Sequence, residues 1–207
     1  KPVSIRLTPA ESTIGHGGQV RLTAAIHLPE GTDAATISYR YSIEGAQAGY
    51  ADDNGTDKAF PFTTTSLNIT YKHRETINIV YGTDTVTVEA VQVQAGGPAV
   101  VAKASATVTV KESTITLSPT NAELDFGEEQ TFTATVDPMP ATGTLNYVFS
   151  TYGDSTFVGG SKTSTGPSNS VVFMQASREA GATQPVWLTV VVGEGDTATV
   201  LGQAEAA

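Results

Sequence analysis

Side chains able to do chemistry are sparse in this 207-residue chain. The three histidines, His16, His27 and His73, all lie before residue 111, and no two stand at metal-ligand spacing. There is no His-Glu-x-x-His motif and no Gly-x-Ser-x-Gly elbow for a serine nucleophile. Cysteine is absent, which removes disulfides, thiolate metal sites and cysteine nucleophiles together. Gly159-Gly160-Ser161-Lys162-Thr163 shares composition with a phosphate-binding loop. It lacks the Gly-Lys pair and the six-residue spacing, so it reads as a loop between strands. No catalytic residue is assigned, and the chain is not expected to be an enzyme.

Two features could hold a ligand. Asp52-Asp53-Asn54-Gly55-Thr56-Asp57 packs oxygen ligands into a short stretch, and calcium favours flexible loops rich in carboxylate and carbonyl oxygen. Asp52, Asp53 and Asp57 are therefore the candidate calcium ligands. The order of an EF-hand loop is not met and no closing Glu follows, so the competing reading is a polar turn. Glu123, Asp125, Glu128 and Glu129 form a second acidic cluster. Trp187, the one tryptophan, is the candidate ligand-binding residue. Val186, Leu188, Val190 and Val192 alternate inward, which turns Trp187 outward, where it could stack on a sugar or anchor a protein interface. Cover by a neighbouring loop, or a bulge that turns the ring inward, is the outcome expected of it.

The elements that must carry these residues are strands. Thr, Ser, Gly, Ala and Val dominate, only 15% of residues are charged, and no stretch shows a helical stripe or the roughly 18 apolar residues of a membrane helix. Val20, Leu22, Ala24 and Ile26 share one side of a segment, as do Ile37, Tyr39, Tyr41 and Ile43, then Leu67, Ile69 and Tyr71, then Val86, Val88 and Ala90. The segment from Val100 to Val110 alternates again. His27 falls on the polar phase. Period two with one apolar face is what a two-layer sandwich requires. Gly, Pro, Asn and Asp fill the gaps, among them Asp52-Asp53-Asn54-Gly55, Gly82-Thr83-Asp84 and Gly96-Gly97-Pro98.

The pattern occurs twice. Ile5-Arg6-Leu7-Thr8-Pro9 lies over Ile115-Thr116-Leu117-Ser118-Pro119, and Leu22-Thr23-Ala24 over Phe132-Thr133-Ala134, at an offset of 110. Tyr39-Arg40-Tyr41-Ser42 matches Tyr147-Val148-Phe149-Ser150 at 108, and Val86-Thr87-Val88 matches Val186-Trp187-Leu188 at 100. Loop deletions between matched strands explain the drift. Two domains follow, 1–111 and 112–207, with His16 opposite Phe126 and Thr87 opposite Trp187. The second copy lacks counterparts of Val108-Thr109-Val110, so a truncated last strand and a chain cut from a longer array are expected. Only Lys111, Glu112 and Ser113 separate the last strand of one copy from the first of the next. A join that short predicts an elongated pair with limited hinge freedom.

Seven or so strands in about 100 residues, duplicated, resemble tandem bacterial immunoglobulin-like domains of surface or secreted proteins. The Ile-x-Leu-x-Pro openings, the Thr-Ala strands, the aromatic third strands and Gly82-Thr83-Asp84-Thr85-Val86-Thr87-Val88 carry the resemblance. The chain departs from antibody domains in lacking inter-sheet cysteines and the corner tyrosine, where Val86 and Val88 stand. The resemblance implies an all-β fold of two immunoglobulin-like sandwiches. It also implies a non-enzymatic stalk, spacer or adhesion segment of a larger bacterial surface or secreted protein, extracellular in location. An accessory carbohydrate-binding module and a phage or virion decoration domain are the alternatives. The expected partner is a protein or glycan on another surface. A net charge of −10 disfavours nucleic acid and anionic membrane, and no membrane insertion is expected of this segment. The charge is uneven: −1 over residues 1–111 and −9 over 112–207.

Overall fold

The computed structural model describes residues 2–46, 49–73, 80–141, 143–177, 183–193 and 198–207. It divides into two compact units, Lys1–Lys111 and Glu112–Ala207.

In the first unit, alternation does what a half-buried strand requires. β3 (Gln19–His27) buries Leu22 and Ala24, and exposes Arg21, Thr23 and His27. β3 pairs with β1 (Ser4–Thr8) on one side and with β8 (Asn68–His73) on the other, both antiparallel. Beyond β8 lie β5 (Gly49–Asp53) and β6 (Thr56–Lys58), so one sheet runs β1-β3-β8-β5-β6. The facing sheet runs β2-β10-β9-β4-β7, from β2 (Glu11–Ile14), β4 (Ile37–Gly45), β7 (Phe62–Thr64), β9 (Gly82–Gln94) and β10 (Gly97–Val110). Between the sheets sit Leu22, Ile69, Tyr71 and Ala51 from one layer and Tyr41, Val86, Val88 and Val108 from the other. Each is at most 1% exposed. β2 and β10 are parallel, Glu11 to Ile14 opposite Thr107 to Val110, which ties the beginning of the unit to its end.

The second unit repeats the plan. β11 (Thr114–Ser118), β12 (Glu129–Asp137), β16 (Ser170–Met174) and β14 (Thr156–Phe157) form one sheet in the order β11-β12-β16-β14. β15 (Thr163–Gly166), β13 (Leu145–Thr151), β17 (Val186–Val192) and β18 (Thr199–Ala206) form the other in that order. Phenylalanines fill this core: Phe132 meets Phe173 edge-on at 6.1 Å, and Phe157 meets Phe173 at 6.5 Å. The parallel tie begins here too, since Ala207 N–H donates to Thr120 O and Ala122 N–H donates to Ala207 O. Both units are therefore immunoglobulin-like β-sandwiches, in tandem on one chain.

Between the third main strand and β8 or β16, both units take the same detour. From β4 the chain crosses to the opposite sheet as β5 and β6, returns as β7 beside β4, and crosses again to β8. From β13 it crosses as β14, returns as β15 beside β13, and crosses again to β16. These strands are short, and their periodicity is too brief to announce them. The Asp52–Gly55 stretch is the turn of the β5–β6 hairpin. Asn54 and Gly55 both take positive φ, 53° and 83°, which suits a tight two-residue hairpin turn. Gly82-Thr83-Asp84, by contrast, is not a turn. It belongs to β9 and pairs with Val108 to Val110. In β10 the register shifts between Val100 and Ala102, so Val100 leaves the buried phase and is half exposed.

Candidate functional site

β17 is an inner strand of its sheet, and its outward residues form rows with those of its neighbours. Ser150, Trp187 and Glu205 stand side by side. Val148, Thr189 and Gln203 form the next row, where Gln203 Nε2 donates to Thr189 Oγ1 at 3.1 Å. The irregularity in this ladder lies at Val190 and Val191, beyond Trp187, so no bulge turns the indole inward. Trp187 remains 37% exposed, and the cover expected of it is only partial. Tyr152, just past β13 on the outward phase of Ser150, stacks on it with ring centroids 5.0 Å apart and planes 23° apart. Tyr152 is itself 52% exposed, so the pair presents aromatic surface to solvent.

The turn that carries Tyr152 is held from three sides. Buried Thr151 donates its hydroxyl to Pro185 O at 2.9 Å. Lys162 Nζ donates to Gly153 O. Gly153 adopts φ 75°, and a Cβ at that position would run into the Gln184 carboxamide. Nothing in the periodicity of the sequence marks Tyr152. It lies outside the alternating strand and has no aromatic counterpart in the first copy, where position 44 is Glu.

The same face of the first unit is closed by its own polar contacts. There Thr87 replaces the tryptophan, and its Oγ1 shares a hydrogen bond of 2.9 Å with Ser105 Oγ. In the next row Arg40 Nε donates to Glu89 at 2.8 Å, and Lys103 Nζ lies 4.0 Å from the same carboxylate.

The carboxylates proposed for calcium are otherwise engaged. Asp52 Oδ1 accepts from Gly55 N–H at 2.8 Å, closing the hairpin turn, and Asp52 Oδ2 meets Lys72 Nζ at 2.8 Å. Asp57 turns to the same ammonium at 3.3 Å, and Asp53 accepts from the Asn54 side chain. The Lys72 hydrogen bond, with help from Gly55 N–H, holds the Asp52 carboxyl below its usual range, while Asp52 pushes Lys72 up. Among the described residues no three acidic or histidine side chains gather in a way that could hold a metal ion.

Two buried polar pairs went unannounced by spacing. His16 and His73 meet edge-on, centroids 5.5 Å apart, although 57 positions separate them in sequence. His73 Nδ1 accepts from Gly17 N–H, and its Nε2 lies 3.2 Å from Val80 O, which fixes the Nε2–H tautomer. Burial pushes the His73 pKa down, aided by His16 and opposed by the Val80 carbonyl and Asp84. His16 is thus a buried residue of the loop before β3. In the second pair Tyr71 Oη donates to Asp84 Oδ2 at 2.8 Å, both residues at most 1% exposed.

No family model matches this chain, and no curated protein does. Among solved structures it is similar to the N-terminal four Ig domains of Dscam1 isoform 4.44, at 14% identity and a TM-score of 0.31 over 96% of this chain. It is similar to the three N-terminal domains of the highly immunogenic outer capsid protein of bacteriophage RB49, at 13% identity and a TM-score of 0.32 over 99% of this chain and 68% of that one. It is also similar to the Yersinia pseudotuberculosis adhesin InvE, at 11% identity and a TM-score of 0.32 over 99% of this chain and 58% of that one. This chain spans 43% of the Dscam1 structure. The fold assignment rests on the chain's own sheet order. No helix among the described residues is long and apolar enough to cross a membrane.

Proposed function

We propose that these two domains are a non-enzymatic structural and adhesion segment of a larger cell-surface or secreted protein, working outside the cell as a spacer that carries tension. The parallel ladder between β2 and β10 supports this most directly. Force arriving through the N-terminal side pulls β2 one way, and force leaving after Val110 pulls β10 the other. Because the strands are parallel, their rungs are loaded in shear and must break together instead of unzipping singly. The rungs from Thr107 N–H to Ala10 O and from Lys111 N–H to Ile14 O bracket this ladder, at 2.9 and 3.0 Å. The second domain starts the same ladder at Thr120, Ala122 and Ala207.

Single-molecule pulling of the full chain tests the reading. Two separate rupture events are expected, the first domain releasing at most about 400 Å of chain, from its 111 residues at up to about 3.6 Å each. Ser12→Pro removes a backbone donor from the ladder and should lower the rupture force of the first domain alone. Unravelling without a force peak, or a peak untouched by Ser12→Pro, refutes the spacer reading.

A further inference from the structure

We infer that the outward face of the β15-β13-β17-β18 sheet binds a neutral glycan, with the stacked Trp187–Tyr152 pair as its platform and Ser150, Glu205 and Gln203 as its hydroxyl-binding rim. The inference goes beyond the spacer reading and does not rest on it.

The two domains offer an internal comparison. They share a backbone plan, so folding alone asks the same of this face in both. In the first domain, Thr87 with Ser105 and Glu89 with Arg40 and Lys103 satisfy one another. That face leaves little chemistry unspent. In the second domain, two large rings stand where the first has Thr87 and Glu44, and Glu205 stands where the first has Ser105. Among the described residues Glu205 has no ion-pair partner. An aromatic pair this exposed does not serve the core, which closes beneath it through Val186, Leu188 and Val190, each at most 1% exposed.

The rings are also held in place before any ligand arrives. The Thr151–Pro185 bond, the Lys162–Gly153 bond and the Gly153 backbone fix the turn carrying Tyr152. A platform fixed in advance avoids part of the ordering cost of binding.

The chemistry selects the occupant. A pyranose has an apolar face of C–H groups, which the negative face of an aromatic ring attracts, and a rim of hydroxyls that need acceptors and donors. The carboxylate of Glu205, the carboxamide oxygen of Gln203, whose nitrogen donates to Thr189, and the hydroxyl of Ser150 lie within one row of the rings. Adjacent strands stand about 4.8 Å apart, so the Ser150–Trp187–Glu205 row spans roughly one sugar ring to each side of the indole. The face is open rather than a pocket, which suits an extended chain. A charge of −9 on residues 112–207 repels anionic polysaccharides and leaves neutral ones.

Trp187 is the single tryptophan, so its fluorescence reports this site alone. The full chain would be titrated with soluble β-glucan, mannan, xylan and galactan, and with heparin as the anionic probe. A saturable blue shift or quench with at least one neutral polysaccharide, and none with heparin, is expected. Affinity electrophoresis in the same polysaccharide should show retardation at least about tenfold weaker for Tyr152→Ala and for Trp187→Thr. The latter installs the first domain's residue and keeps the strand. Thr87→Ala, on the matching face of the first domain, should leave retardation unchanged. No response to any of the four neutral polysaccharides overturns the proposal. So does retardation that Tyr152→Ala and Trp187→Thr, with thermal midpoints retained, leave intact. Response to heparin alone, or a basic protein competing as the tighter ligand of this face, overturns it in favour of a charge-driven partner.

Discussion

Removing one hydroxyl tests how the first domain closes its core. Tyr71→Phe keeps the ring and deletes the bond from Tyr71 Oη to Asp84 Oδ2. The ring cannot shift to compensate. Gly49 lies so close that a Cβ there would collide with it, and Leu22, Ala51 and Ile69 pack nearby in the core, each at most 1% exposed. Asp84, at 1% exposure, then loses a donor that water is poorly placed to replace. Deleting one hydrogen bond to a buried carboxyl group costs about 1–3 kcal/mol. At about 2 kcal/mol, and about 4–8 °C per kcal/mol for a domain near 100 residues, the first domain's transition should fall by roughly 8–16 °C. Differential scanning calorimetry of the full chain reads it, with the second domain as control. The second copy has already made this change, with Phe173 at the position of Tyr71 and Gln184 at that of Asp84. The double variant Tyr71→Phe/Asp84→Gln should therefore lose less than the two single losses together, with a coupling of about 1 kcal/mol or more. A loss below about 0.5 kcal/mol, or additive single losses, would show that the pair is not a unit.

Phe173→Tyr asks the converse question. Gln184 Oε1 is buried with no hydrogen-bond partner among the described residues, and a tyrosine hydroxyl at 173 should reach it, raising the second transition by about 4–8 °C for about 1 kcal/mol in thermal melts. His73 gives the first domain a pH dependence that the second, which has no histidine, should not share. Its folded pKa is lowered, so the unfolded chain binds the extra proton first. The stability it contributes is complete above about pH 6.5 and declines as pH falls toward the folded value. Melts between pH 7 and 5 should lower the first transition more than the second, and parallel curves would dismiss the assignment.

The duplication and the sandwich were legible because burial of one strand face imposes period two over many residues. Leu22 and Phe132, or Tyr41 and Phe149, occupy equivalent buried positions although the side chains differ. The detour through β5, β6 and β7 was not legible. Three-residue strands such as Thr56–Lys58, exposed at every position, bury no stripe. Gly82 to Asp84 misled for a related reason: turn-type residues lie in β9 because Asp84 is needed inside, opposite Tyr71. The outward phase of Trp187 was legible from its neighbours. Its partner was not, since Tyr152 lies past the end of β13 and reaches the indole through a turn set by Gly153 and Gln184. The Asp52 cluster shows the opposite limit. Composition marked the carboxylates, but nothing in their spacing marked Lys72, 20 positions away in sequence, which reaches Asp52 from β8.

Duplication separates what the fold requires from what it merely permits. Where both copies need the same backbone they keep it even when the side chains change. Gly45 and Gly153 both take positive φ, and each is closely packed: a Cβ at Gly45 would strike the Thr83 carbonyl beside Asp84, and one at Gly153 the Gln184 carboxamide. The substitutions at that end travel together, hydroxyl with carboxylate and phenyl with carboxamide, as a shared packing site demands. At positions 87 and 187 no such constraint acts, because the sheet beneath is closed in both domains by the same alternation, Val86, Val88 and Ala90 in one and Val186, Leu188 and Val190 in the other. Threonine there completes a self-satisfied surface. Tryptophan leaves a third of a large ring in water beside a second ring and a carboxylate. Folding gains little from that choice, and solubility loses by it. The difference between the two faces is therefore best explained by what the second face meets, not by how either domain holds itself together.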